Sequence, residues 1–204
     1  MKADWVQAAL DARAPGGVAA VRVDVLTKRL GITRGSFYWH FADRDALLTA
    51  APEEWEQSII TGIIERLENV PSPVERLRAI LGIAYFTPES GNRVEPALAT
   101  DADHPIIAPV LRRVTAARLR FLTELFTDLG LDPATARQRA LYSYSAFLGW
   151  LQLRYTMPDL VPEARYEGPQ AGPFLDDLVR MLAIGAPGAD TGASNPRDQD
   201  ASAD

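Results

Sequence analysis

A glycine turn between two short segments of helical pattern constrains this chain more than any other feature. Before the turn, Val23, Leu26 and Leu30 recur at helical spacing, which predicts a short helix. Gly31 can adopt the positive φ with which a chain leaves a helix, and Thr33 is a residue type favoured at helix N-caps. Two short helices joined in this way predict a helix-turn-helix.

The second helix of this motif carries side chains suited to contact DNA. Arg34 presents a forked donor that fits guanine in the major groove, Gly35 lets the backbone come close, and Ser36 can donate to a base edge or a phosphate. Tyr38 and His40 suit phosphate oxygens, contacts that set the register on DNA without reading its sequence. Any one of these side chains also fits an ordinary exposed helix face, but their combination in this frame favours a recognition helix.

Residues 30–41, followed by residues 43–48, closely resemble the DNA-binding signature of TetR-family transcriptional regulators. The resemblance is strong over about residues 3–51; beyond them it covers only length, helical pattern and an aromatic-rich penultimate helix. It implies that Arg34, Gly35 and Ser36 face bases, that Tyr38, Trp39 and His40 face the DNA backbone, and that Arg44 contacts a phosphate. With the N-cap Thr33 and with Arg22, these residues form the predicted DNA-binding set.

The chain departs from the family pattern at two positions. Arg22 stands where the family often has a capping serine or threonine, so the usual cap is absent, although an arginine there can contact a phosphate. Pro52 stands where the family usually has a continuous helix between its two domains. Because proline removes a backbone donor and clashes with the preceding turn, we expect it to interrupt the helix that begins at Arg44 and to mark a domain boundary.

Helix start and stop signals recur along the chain, and strand-like alternation does not persist anywhere, so we predict an all-α fold. The predicted domains are a three-helix helix-turn-helix domain at residues 1–51, a helical ligand-binding and dimerisation domain at residues 52–184 and a disordered tail at residues 185–204. Pro15, Gly16 and Gly17 are expected to end the first helix at residue 14, and Asp103 to cap a long helix from residue 104. The remaining expected helices lie at residues 52–69, 73–86, 93–100, 133–156 and 173–184, and a loop precedes the last of them.

Composition and charge place the chain among ordinary soluble proteins. Its 204 residues are 47% hydrophobic and 24% charged, which is enough to bury a core. The net charge is −6, yet residues 1–50 carry +2 and the rest −8, so one end can meet DNA while the other repels it. Asp4 and Gln7 interrupt the N-terminus before an apolar run develops, and zero cysteines exclude disulfides and thiolate metal sites. A cytoplasmic location without a membrane partner is therefore expected.

Residues 141–153 carry no charge for more than three helical turns. A helix that is apolar all round is buried all round, so one side is expected to pack on its own domain and the other on the final helix and a second subunit. The segment is too short to span a bilayer, which needs about 20 residues. The family resemblance implies a homodimer built on the last two long helices. The predicted interface comprises Ser143, Ala146, Leu148, Gly149, Phe174, Leu175, Leu178 and Leu182.

Aromatic and polar residues on otherwise apolar helix faces predict a ligand cavity, although plain core packing is the alternative for each aromatic residue. Arg118 is central, since an arginine on an apolar stripe needs a partner, which can be Glu95, Glu124 or an anionic ligand. We expect a largely apolar effector with an acidic or strongly polar group, unless an internal glutamate cancels the charge preference. The predicted ligand-binding set is Tyr85, Phe86, Arg118, Phe121, Tyr144, Phe147, Trp150 and Leu151.

Metal binding and catalysis find little support. Asp101, Asp103 and His104, with Glu95 nearby, invite a metal hypothesis, but an N-capping role for Asp103 and a solvated loop position for Asp101 explain them more simply. No metal and no cofactor is expected. The two histidines are far apart, and the sequence has no nucleophile motif or phosphate loop.

The sequence therefore favours a ligand-responsive regulator that binds a palindromic double-stranded DNA operator as a homodimer and, by resemblance, acts as a repressor released by an unknown small molecule. Two alternatives remain open. One is an α-helical enzyme or ligand carrier whose helix-turn-helix-like start is only packing. The other is a constitutive DNA-binding dimer with no effector.

Overall fold

The computed structural model of the chain describes residues 1–86, 94–99, 101–157, 159–160 and 171–187. Every regular element in this part is helical, as predicted. One segment, Ile60–Ile64, is a π-helix. The α-helices are α1 (Lys2–Ala20), α2 (Val23–Leu30), α3 (Arg34–His40), α4 (Arg44–Ile59), α5 (Glu65–Glu68), α6 (Pro73–Phe86), α7 (Val94–Ala99), α8 (Ile107–Asp128), α9 (Pro133–Thr156) and α10 (Ala171–Leu182).

The helix-turn-helix forms as its sequence predicts. Gly31 ends α2 with a φ of +66°, a left-handed conformation that favours glycine. Thr33 caps α3, and its Oγ1 accepts a hydrogen bond of 3.4 Å from the Ser36 N–H. Phe37 is fully buried, and its ring meets that of Trp5 on α1 edge-on, with the ring centroids 5.2 Å apart. The recognition helix is therefore anchored directly on α1.

The first helix is longer than predicted. An end at residue 14 is wrong, because α1 continues to Ala20. Gly17 does take a positive φ of +60°, so the break signalled by the sequence is real but confined to one residue. The N–H of the next residue, Val18, donates to Oδ2 of Asp101 at 2.8 Å, which satisfies the backbone donor with a partner from the C-terminal part of the chain.

The expected interruption at Pro52 is also wrong, because α4 runs through it to Ile59 and leads into the π-helical segment. A proline inside a helix costs about 3 kcal/mol. Leu48, Pro52 and Trp55 are all buried, so their packing against the core offsets that loss. One helical path thus leads from the recognition motif into the C-terminal part, and the domain boundary at residues 51 and 52 stays a prediction.

The C-terminal part packs α9 along α8 and α10 on α6. Asp132 caps α9 as predicted, with its Oδ1 accepting from the N–H groups of Ala134 at 3.0 Å and Thr135 at 3.2 Å. Gly130, after the end of α8, has a φ of +95°. Among the described residues, no helix is long and apolar enough to cross a membrane.

The start of α8 differs from the prediction. The helix begins at Ile107, so Asp103 is not its cap. The Nδ1 of His104 instead accepts a hydrogen bond of 3.3 Å from the N–H of Ile106, and the His104 carbonyl accepts from the N–H groups of Ile107 and Ala108 at 2.9 Å. The turn before α8 is therefore stabilised by His104, although histidine is not one of the residue types favoured at helix N-caps.

The predicted tail begins with ordered residues. Ala186 is buried, and Arg139 of α9 donates to the carbonyl oxygens of Leu182 at 2.6 Å and Ile184 at 3.2 Å. Disorder is therefore wrong for residues 185–187. Residues 188–204, and residues 161–170 of the predicted loop, lie outside the described residues.

Candidate DNA-binding face and effector cavity

The candidate DNA-binding face is the outer side of α3. Tyr38 and Trp39 are 57% and 86% exposed, although large aromatic residues are usually buried. Arg34 is exposed and makes no ion pair or hydrogen bond within the described residues. A Cβ at Gly35 would meet only Thr33 Oγ1, at 3.7 Å, so the fold itself does not require glycine there. His40 is half-buried at the end of the helix.

The two predicted arginines outside α3 already have protein partners. Arg22 pairs with Asp24 at 3.0 Å, and both side chains are at least half exposed, so the pair is weak and leaves the guanidinium available. Arg44 donates through Nε to the carbonyl oxygen of Val21 at 2.6 Å and through Nη2 to that of Val18 at 2.5 Å. Arg44 therefore holds the connection between α1 and α2. Its phosphate contact stays a prediction.

A cavity of about 600 Å³ lies between the N-terminal helices and the C-terminal part. A volume of this size suits a small organic molecule. Its walls are mainly apolar, and they come from α1, α4, the π-helical segment, α6, α7, α8 and α9. α1 contributes Val6 and Leu10, α4 contributes Trp55 and Ile59, and the π-helical segment contributes Ile63.

The structure brings five of the eight predicted ligand-binding residues to this cavity and places three outside its lining. Leu151 is buried, Phe86 contacts Phe174 of α10 with ring centroids 5.7 Å apart, and Trp150 packs on Tyr85 at 4.9 Å. Of the three, Trp150 therefore contacts a lining residue without lining the cavity itself. The residues that line the cavity are Tyr85, Arg118, Phe121, Tyr144 and Phe147.

A polar cluster sits in the apolar wall. Nη1 of Arg118 donates to Oε2 of Glu95 at 2.5 Å, and the Tyr144 hydroxyl donates to Oε1 of the same carboxylate at 2.7 Å. Both charged side chains are largely buried, with 16% of the Arg118 side chain and 7% of the Glu95 side chain exposed. The partner of Arg118 is therefore Glu95; Glu124 instead lies 4.0 Å from Arg120.

Electrostatics keeps this cluster ionised at Arg118 and protonated at Tyr144. Burial lowers the pKa of Arg118, but the Glu95 carboxylate and Tyr144 more than offset that effect, so the pKa of Arg118 is raised. Burial and the Glu95 carboxylate raise the pKa of the Tyr144 hydroxyl. The guanidinium carbon of Arg118 also lies 5.7 Å from the ring centroids of Trp55 and Tyr144 and 5.8 Å from that of Phe147.

Sequence reasoning missed the part that the N-terminal helices play in this cavity. The spacing of Trp55, Ile59 and Ile63 predicts a helix, and Val6 and Leu10 are also four residues apart, but neither pattern shows which helices meet. The metal hypothesis gains no support, since the described residues contain no cluster of three or more histidine, cysteine or acidic side chains able to hold an ion.

The predicted dimer residues divide between two environments. Ala146, Leu148 and Gly149 are exposed on α9, whereas Ser143 is buried beside the cavity and its Oγ donates to the Arg139 carbonyl oxygen at 2.8 Å. The four predicted residues of α10, Phe174, Leu175, Leu178 and Leu182, are half-buried and pack on the core of their own chain.

Comparison with known proteins supports the sequence resemblance. Residues 6–51 match the family described as bacterial regulatory proteins, tetR family. No curated protein sequence matches the chain.

Solved structures share the fold over nearly the whole chain. A transcriptional regulator from Rhodococcus sp. Rha1 is 22% identical with a TM-score of 0.70, and the match covers 91% of this chain and 97% of that one. AibR, in complex with isovaleryl coenzyme A and operator DNA, is 19% identical with a TM-score of 0.61 over 89% of this chain and 97% of its own. FadR from Bacillus subtilis, a transcriptional regulator in complex with stearoyl-CoA, is 16% identical with a TM-score of 0.53, and the match covers 91% of this chain and 99% of that one. Residues 6–51 therefore form a helix-turn-helix domain of the kind found in the tetR family of bacterial regulatory proteins, and the chain shares its all-helical fold with these solved structures.

Proposed function

We propose that the protein is a transcriptional regulator whose operator binding is controlled by a small molecule in the cavity between its N-terminal and C-terminal helices. One observation carries the proposal: α1 supplies Val6 and Leu10 to the cavity wall and also holds the recognition helix through the contact of Trp5 with Phe37. A ligand that fills the cavity therefore touches the helix on which α3 is mounted.

Two further connections lead from the cavity to the DNA-binding face. α4 lines the cavity with Trp55, and Arg44 in its first turn holds the α1–α2 connection. Glu56, which follows Trp55 in α4, accepts two hydrogen bonds from Arg113 of α8, of 2.6 and 2.5 Å. A displacement of α8 by ligand is thus passed to α4.

The second connection runs through α7. Glu95 belongs to the cavity cluster, and Asp101, which follows the helix, accepts the Val18 N–H at the end of α1. A ligand shifts operator affinity only if it binds one arrangement of these helices better than the other.

A second copy of the chain is expected on the exposed side of α9. Leu141, Tyr142, Leu148 and Leu153 present apolar surface there, and Met181 of α10 is exposed as well. A homodimer would cover this surface and would place two recognition helices on successive major grooves of a palindromic operator.

The solved structures support the combination of the two binding activities on this fold. AibR binds operator DNA and isovaleryl coenzyme A in one complex, and FadR binds stearoyl-CoA. Repression, with release of DNA on ligand binding, is the direction that we propose for this chain.

Selection of bound fragments from a randomised duplex library, at stated ionic strength, tests the DNA-binding half of the proposal. We expect one enriched site with two half-sites related by a dyad. Arg34→Ala should relax the preference at one base position per half-site and cost about 1–3 kcal/mol for each contact. Tyr38→Phe is the matched control, because loss of a phosphate contact should weaken all sequences similarly. A library without an enriched site would contradict the proposal.

A further inference from the structure

The charged residues around the cavity point to the chemical class of its ligand. Among the described residues that line it, three are acidic, Asp4, Glu54 and Glu95, and one is basic, Arg118. The only cation in this set is already neutralised by the buried Glu95 carboxylate at 2.5 Å. The negative charge of Asp4 is paired with the N-terminal amine, and Glu54 is exposed without an ion-pair partner in the described part of the chain.

Several hydrogen-bond donors of the wall also have partners within the protein. The Tyr144 hydroxyl donates to Glu95, Ser58 Oγ donates to the Trp55 carbonyl oxygen at 2.7 Å, and the Gln7 amide donates to Asp11 at 2.8 Å. An anion in an apolar cavity needs several donors to replace its hydration. Taking Arg118 as a partner would leave the Glu95 carboxylate buried and unpaired, which is strongly unfavourable.

The Tyr85 hydroxyl remains for a ligand with modest polarity, because it makes no hydrogen bond within the described residues. The Trp55 indole N–H also has no partner there, but it is buried away from accessible space. The Tyr85 hydroxyl can serve a single carbonyl or ether oxygen. At the acidic side of the cavity, the Glu54 carboxylate can compensate a positive charge.

We propose that the effector is a largely apolar molecule that is uncharged or positively charged, and that the cavity excludes anions. This inference rests on the proposed function and names its ligand class. It replaces the sequence-based expectation of an acidic group, because the internal partner of Arg118 is present. It also separates this cavity from the coenzyme A thioesters bound by AibR and FadR, whose phosphates are anionic.

Matched probes test the charge preference on the full-length wild-type protein. N-phenyl-1-naphthylamine, an uncharged fluorophore, reports occupation of an apolar site, and 1-anilinonaphthalene-8-sulfonate is its anionic counterpart. Tetraphenylphosphonium and tetraphenylborate have nearly the same shape and opposite charge. We expect the uncharged dye to bind and to be displaced by the phosphonium at a concentration at least tenfold lower than by the borate. Isovaleryl coenzyme A should not displace it.

Glu95→Gln provides the decisive variant. The variant keeps the size of the side chain but leaves the Arg118 charge uncompensated. The borate should therefore displace the uncharged dye at a lower concentration than the phosphonium does, the reverse of the wild-type order. The sulfonated dye should also bind more tightly. Glu75→Gln removes an exposed charge that does not line the cavity and should leave the order unchanged. Thermal melting followed by circular dichroism checks that both variants fold; if Glu95→Gln does not fold, the wild-type order of the ions decides alone.

The outcomes separate the two proposals. Binding of the uncharged dye with equal displacement by both ions, or with preference for the borate, would overturn the charge preference and leave the proposed function standing. No binding of any probe, with operator binding intact, would overturn ligand control and the charge preference together. Binding confined to the uncharged dye and the phosphonium, together with a change in operator affinity, would support both.

Discussion

The carboxylate of Asp101 lies 2.8 Å from the backbone nitrogen of Val18 and accepts its hydrogen bond. The contact joins the loop after α7 to the last turn of α1, 83 residues earlier in the chain. Gly17 is required beside it for two reasons: its φ is +60°, and a Cβ there would lie 2.9 Å from Oδ1 of Asp101. The Val18 carbonyl in turn accepts from Arg44, so one short stretch of backbone links three parts of the molecule.

Replacing this carboxylate should loosen the end of α1. A hydrogen bond to a charged group contributes about 1.5–3 kcal/mol, so Asp101→Ala should lower the free energy of unfolding by that order, measured by urea denaturation. It should also reduce the effect of a cavity probe on operator affinity. Asp101→Asn keeps an acceptor oxygen and should recover much of the stability. An equal loss of unfolding free energy in the two variants would show that the hydrogen bond to Val18 does not account for the loss in Asp101→Ala.

Gly35 allows stability and DNA binding to be separated. Alanine favours a helix over glycine by about 1 kcal/mol, and a Cβ at this position meets only Thr33 Oγ1, at 3.7 Å, so Gly35→Ala should leave the melting temperature unchanged or raise it. If the backbone at Gly35 approaches DNA, the added methyl group should weaken operator binding, measured by fluorescence anisotropy. Gly62→Ala, at another helical glycine with open space around it, is the control. Unchanged operator affinity in Gly35→Ala would remove this residue from the interface.

The helix-turn-helix could be predicted from the sequence because local chemistry determines it. The positive φ of Gly31 and the cap at Thr33 follow from residue types within a few positions of one another. The path of α4 through Pro52 could not be predicted, since the cost of the proline is local while the packing that offsets it involves distant helices. The cavity, too, could be predicted only in part from the sequence. Aromatic residues on apolar faces indicate a pocket, but only the packing shows that Trp150 does not line the cavity and that α1 does.

Two leucines distinguish the proposed dimer surface from the core. Leu148 is 38% exposed on α9, whereas Leu178 is half-buried against the core of its own chain. Leu148→Glu should therefore give a folded monomer with little loss of melting temperature, because a charge on an exposed face disrupts only association. Leu178→Glu should lower the melting temperature. Sedimentation at micromolar concentration measures the assembly, and a wild-type monomer under these conditions would contradict the proposed dimer.

Alkaline pH should destabilise the protein through two tyrosines of the cavity. Burial raises the pKa of Tyr85, and burial together with the Glu95 carboxylate raises that of Tyr144, above the ordinary value of 10.0. Because the folded-state pKa is higher than that of the unfolded chain, the stabilisation is fully present below about pH 10 and is lost as the pH rises through the folded-state pKa. The free energy of unfolding should therefore fall in strongly alkaline solution.

Tyr144→Phe separates this contribution from those of the other tyrosines. The difference in phenolate absorbance between wild type and variant isolates the ionisation of Tyr144, which should occur at higher pH than that of a free tyrosine compound. The variant should also lose stability at neutral pH, since Glu95 loses a hydrogen-bond donor at 2.7 Å. An ionisation of Tyr144 at or below the pH of the free compound would show that its hydroxyl is hydrated, and that the Glu95 cluster is open to water.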